Sequence, residues 1–78
     1  MANSTPVVDL DQKTVTHGEH TFVMRPLAED SFTIMKDGVP VGRAVYTFGA
    51  ANAVAESDAF TEDFLCEVAE AWFAALDG

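Results

Sequence analysis

The sequence predicts an α+β fold in two layers, an antiparallel β-meander of three to four strands packed by one long C-terminal α-helix. Three observations carry this expectation. Gly18-Glu19 and Asp37-Gly38 each sit between runs of β-branched and aromatic residues, the pattern of two-residue hairpin turns. Residues 61–77 repeat apolar side chains at helical spacing, with acidic residues between them. The chain has 78 residues, 49% of them hydrophobic and six of them Phe, which suits one core and leaves no room for two.

Residues 1–7 are small and polar apart from Met1, Pro6 and Val7, and read as a flexible N-terminus, leaving 8–78 as a single domain. In KTVTHGEHTFVMRPL, a Gly18-Glu19 loop suits a type II′ hairpin with Gly18 at positive φ. That register sets Val15 opposite Phe22 and Lys13 opposite Met24. A His17-Gly18 loop would instead oppose Lys13 to Phe22 and Val15 to His20, a poorer hydrophobic match. Pro26 lacks a backbone donor and is expected at a strand end, with Ala28-Glu29-Asp30 as the connection.

In SFTIMKDGVPVGRAVYTF, Asp37-Gly38 predicts a type I′ turn, since both central residues need positive φ. Lys36 then faces Val39, and Met35 faces Pro40 at a position where a missing N–H costs least. The simplest continuation pairs Ile34 with Val41 and Phe32 with Arg43. It leaves Phe32, Ile34, Val41 and Val45 on one face and Met35, Ala44, Tyr46 and Phe48 on the other. A bulge at Gly42 would reverse the parity and bring Ala44, Tyr46 and Phe48 to the core face. Residues 49–60 read either as a loop or as a short helix, because alanine favours helix while Gly49, Asn52 and Ser57-Asp58 punctuate it. The final helix takes Thr61 as N-cap, Glu62 and Asp63 in the first turn, a Phe60/Leu65 staple, and Gly78 as its end.

The formal charge is −9, from thirteen acidic and four basic residues. Such a balance repels nucleic acid and anionic membrane surfaces, so direct binding to either is not expected. All four bases (Lys13, Arg25, Lys36, Arg43) precede residue 44, so the acidity belongs to the C-terminal part. The one cysteine forms no internal disulfide, and neither a signal peptide nor a membrane span is discernible, so a reducing, cytoplasmic setting is expected. Asn3-Ser4-Thr5 matches a glycosylation sequon without a secretory context to use it.

Glu62, Asp63, Glu67, Glu70 and Asp77 are the candidate partner-binding residues. Asp63, Glu67 and Glu70 rise about 6 and 4.5 Å apart along a helix, a row of negative charge spaced somewhat like phosphates on a strand. No Lys or Arg stands one turn away to compensate them. The apolar arc of the same helix spans about 200°, wider than one sheet contact requires. Either residues 49–60 fold over Phe73 and Cys66, or a second copy covers that flank.

His17 and His20 would stand opposite each other across the first hairpin, but two imidazoles fall short of the three or four ligands zinc requires, and both are expected in solvent. Cys66 reads as a small buried hydrophobe, with no base one turn away to activate it. Arg43 is expected to lay its stem over Phe32. No nucleophile elbow, phosphate loop or helical His-Glu pair is present, so neither an enzyme nor a cofactor is expected. No stretch carries a family motif. In size and charge alone the chain resembles phage and mobile-element inhibitors of nucleic-acid enzymes, such as anti-CRISPR and other DNA-mimic proteins. The sequence thus favours a non-enzymatic protein that offers an acidic helix face to a basic protein surface. The alternative is an accessory domain that homodimerises through apolar helix or sheet surface, with acidity serving solubility.

Overall fold

A computed structural model describes residues 6–77. It is an α+β domain. Six antiparallel strands follow one another in sheet order: β1 (Val7–Asp9), β2 (Thr14–His17), β3 (His20–Ala28), β4 (Ser31–Lys36), β5 (Val39–Thr47) and β6 (Ala50–Ala55), before helix α1 (Glu62–Asp77). The sheet curls into a half-barrel. Helix α1 lies closest to β6 and β5 and also nears β2 and β1, so it spans the open side of the curl.

Six strands exceed the three to four expected, and the two additions have different causes. β1 is only three residues long and pairs Val7 with Thr16, a length too short for alternation to be read. Residues 1–5, with the sequon and most of the expected flexible segment, and Gly78 lie outside the described residues. β6 has the sequence AANAVA, which helix propensity disguises. Neither the loop nor the short helix expected over 49–60 forms along its first half. Ala51, Ala53 and Ala55 face the helix because small side chains let two backbones approach.

Turn chemistry sets the meander. His17 pairs with His20 and Val15 with Phe22, the better of the two registers. Gly18 (φ 57°) and Glu19 (φ 69°) are both left-handed, so the turn is type I′ rather than the expected II′. Asp37 (φ 54°) and Gly38 (φ 82°) form the expected type I′ turn, with Lys36 opposite Val39 and Met35 opposite Pro40. A third turn of the same kind joins β5 to β6 through Phe48 (φ 53°) and Gly49 (φ 76°).

Two bulges shape the strands. Ile34 pairs with Gly42 instead of Val41, so Val41 is the extra residue and the parity of β5 reverses. Ala44 is thereby buried, and Arg43 stands opposite Thr33, not Phe32. The second bulge is at Leu27, between the pairs Pro26–Phe32 and Ala28–Ser31. Pro26 lies inside β3 rather than at its end. It is tolerated there because β2 pairs only as far as Val23, which leaves that side of β3 without a ladder.

The core sits between the concave sheet face and α1. Val15, Phe22, Met24, Ile34, Leu65 and Val68 are fully buried, and Trp72 packs edge-on to Phe32 at 5.3 Å between ring centroids. The expected N-cap forms, with Phe64 N–H donating to Thr61 Oγ1 at 3.2 Å. Most of the wide apolar arc of the helix is covered within the chain, while Leu76 near its end stays half exposed. Cys66 faces the Ala53 carbonyl of β6, and Phe73 meets Phe32 and Tyr46.

At Gly42 the helix presses on the sheet. A β-carbon there would stand 2.6 Å from Leu65 Cδ1 and 2.8 Å from the Val54 carbonyl oxygen. Gly42→Ala is therefore expected to destabilise the fold by about 1–3 kcal/mol, the usual cost of overpacking. Urea unfolding checks this, and an unchanged midpoint would contradict the tight seat.

Candidate functional site

The helix presents its carboxylates in three different settings. Glu62, Asp63, Glu67, Glu70 and Asp77 are all exposed. Ion pairs among the described residues join His17 to Glu67, Lys36 to Asp37 and Arg43 to Glu56. Glu62, Asp63, Glu70 and Asp77 therefore have no cation within pairing distance among those residues. Glu62 and Asp63 at least lie in the first turn, where the helix dipole favours a negative charge. Asp77 lies in the last turn, where the dipole opposes it and no basic residue offsets it.

Glu67 has a specific partner. Its Oε1 accepts a hydrogen bond from His17 Nε2 at 2.7 Å, joining α1 to the start of the β2–β3 turn. His17 is 6% exposed, which overturns the expectation of a solvated turn histidine. The reason is strand alternation. Val15 and His17 face the concave side together, so the ring meets the helix instead of water. Phe64 stacks on it at 4.6 Å and also covers Gly18. In the neutral ring, donation from Nε2 leaves Nδ1 an acceptor, and that atom is buried without a partner among the described residues.

His20 also turns toward aromatic rings, edge-on to Phe60 at 5.0 Å. Phe60 in turn packs against Phe22 and Phe64. The two histidines do stand opposite each other across the hairpin. Among the described residues, no three metal-ligating side chains converge.

Two of the four basic residues, Arg25 and Arg43, occupy the other side. Arg25 pairs with Thr33, and Thr33 with Arg43, in one cross-strand row of the convex face. Arg43 reaches Glu56 at 3.6 Å, a half-exposed pair just beyond β6. This pairing replaces the expected stem over Phe32, because the bulge at Val41 turns Arg43 away from the concave face. The convex sheet face thus carries two arginines among exposed apolar residues such as Val23 and Val54, while the helix face is acidic.

At the end of α1 lies a groove that the sequence alone does not reveal. Phe32, Tyr46, Phe73 and Leu76 line it, and Glu29, Asp30 and Asp77 complete its wall, around about 240 Å³ of space. Glu29 and Asp30 form the β3–β4 turn and Asp77 belongs to the last helical turn, nearly fifty residues later, so only the fold unites them. Tyr46 N–H donates to the Asp30 carbonyl at 2.9 Å, which fixes the strand against the turn. Glu29-Asp30 beside an aromatic strand was the available local signal.

No protein family, curated protein or solved structure matches the chain. Among the described residues, no helix is long and apolar enough to cross a membrane.

Glu67 differs from the other helix carboxylates in its contact with a buried ring. Glu67→Ala strips the His17 ring of its one hydrogen bond and is expected to cost about 1–3 kcal/mol. Asp63→Ala and Glu70→Ala should each stay within about 0.5 kcal/mol of the parent. Urea unfolding of the three variants reads this difference, and equal effects would remove the special role of Glu67.

Proposed function

We propose that this chain is a non-enzymatic binding protein that presents the acidic face of α1 to a basic surface of a partner protein in the cytoplasm. The observation that carries this reading is the uncompensated charge of Glu62, Asp63, Glu70 and Asp77, none of which has an ion-pair partner among the described residues. A helix that served only as a core element would gain from a Lys or Arg one turn away. Glu67 adds a held carboxylate to the same face, one oxygen bonded to His17 while the side chain stays 59% exposed.

A basic partner of this kind is often a nucleic-acid-handling enzyme, since such enzymes carry clefts of positive potential to hold phosphates. An inhibitor of the anti-CRISPR or DNA-mimic type would use the row Asp63, Glu67 and Glu70 in place of backbone phosphates. The net charge of −9 supports fast, salt-dependent association with such a cleft.

A second reading has its own support. Val23 and Val54 are 45% and 43% exposed on the convex face of the sheet, which suits an accessory domain that pairs through that face with a second copy.

The test is affinity capture from a lysate of the source cells at low salt, with elution by a salt gradient. The protein is expected to retain a basic protein that leaves as salt rises, and Asp63→Lys with Glu70→Lys is expected to abolish retention while the circular dichroism spectrum stays unchanged. Retention undiminished by that double reversal would overturn the reading. Sedimentation at two concentrations separates the second reading, which requires a concentration-dependent dimer.

A further inference from the structure

We infer that the groove where α1 ends is a socket for an arginine side chain of a basic partner protein. This rests on the proposed function and deepens it by naming the anchoring residue on the other side. The first observation is size. About 240 Å³ falls below the roughly 300–1,000 Å³ typical of sites for drug-sized ligands, and suits a single side chain.

The second observation is the pairing of aromatic walls with acidic ones. Tyr46 and Phe73 lie 5.2 Å apart and tilted by 39°, and Phe32 approaches Phe73 edge-on. Glu29, Asp30 and Asp77 share the groove with these rings, and none has an ion-pair partner among the described residues. The carbonyl end of the α1 dipole adds to the same negative field, and no base in the last turn reduces it. A cation is the complement of such a place.

Arginine meets the requirement better than lysine. A planar guanidinium stacks on an aromatic ring while its edge donates to carboxylates on more than one side. An ammonium is a compact, strongly hydrated charge, and it would leave the rings partly unused.

The third observation is the apolar surface gathered at this end of the domain. The β3–β4 and β5–β6 turns lie at the same end of the sheet, since Ser31 pairs with Val45 and Thr47 with Ala50. Phe48, two residues beyond Tyr46, is 103% exposed and holds a left-handed φ of 53°. A bulky aromatic at that φ is strained, and its exposed ring gains nothing from the fold to offset this. Leu27 and Leu76 are also about half exposed. Together they offer a partner an apolar rim around the charged socket, the arrangement by which a hot spot excludes water.

The test is an NMR titration of the full chain with blocked arginine (N-acetyl-arginine N′-methylamide), with the blocked lysine and citrulline counterparts as controls. Arginine is expected to give saturable amide shifts at Asp30, Tyr46, Phe73 and Asp77, with lysine about tenfold weaker and citrulline without effect. Asp30→Asn combined with Asp77→Asn should abolish those shifts and leave the urea midpoint unchanged. Equal shifts from citrulline or lysine, shifts centred on Glu62, Asp63 and Glu70, or shifts that survive the double variant would each overturn the assignment. A concentration-dependent dimer abolished by the same variant would place a second copy's arginine there and also overturn it. The two proposals fail separately. Absent arginine shifts with capture still lost in Asp63→Lys/Glu70→Lys sinks the socket alone. Groove shifts with capture intact in that reversal sink the helix face alone.

Discussion

The close approach of Leu65 to the backbone at Gly42 is the contact on which the rest of the architecture depends. Without a β-carbon at Gly42, and with alanines at positions 51, 53 and 55, the helix settles directly on β5 and β6. The bulge that makes Val41 an extra residue is what turns Gly42 and Ala44 toward the helix at all. Once α1 is seated there, Trp72 and Phe73 reach Phe32, while Phe64 reaches back to His17 at the opposite end. The aromatic contacts pin the two ends of a helix whose middle rests on small residues.

This seating decides which charges meet and which do not. The carboxylates of α1 are left on the side away from the sheet, while Arg25 and Arg43 lie on the convex face of the curl. The separation forgoes the short ion pairs an ordinary helix face would have, although exposed pairs contribute only up to about 1 kcal/mol each. Glu67 is the exception, because strand alternation delivers His17 to it from inside the core. The same geometry brings the β3–β4 turn and the last turn of α1 together, so aromatic side chains and carboxylates share a groove.

Much of this was legible from residue order. The Val15–Phe22 pairing set the first hairpin in its found register, Asp37-Gly38 set the first two pairs of the second (Lys36–Val39 and Met35–Pro40), and Thr61 caps the helix as its position implies. Gly42 was recognisable as the place where parity changes. The edge strands were not legible, since VVD is too short for a period to appear and the alanines of β6 follow helix propensity until the tertiary contact is known. The Phe48-Gly49 turn was hidden because phenylalanine rarely adopts left-handed φ. Turn position alone suggested solvent for His17, whereas the parity of β2, once Val15 is placed in the core, already pointed the ring inward. The five helix carboxylates could be named from the sequence, but the acids of the β3–β4 turn that join Asp77 could not, because that neighbourhood exists only after folding.

The most direct measurement is amide hydrogen exchange of the chain alone and in the presence of any basic protein recovered by the salt-gradient capture. Added protection is expected along the acidic face of α1 and around Tyr46 and Asp77, with the convex-face amides of Val23 and Val54 unchanged. Protection confined to Val23, Val54 and their neighbours, with α1 exchanging as in the free chain, would contradict it.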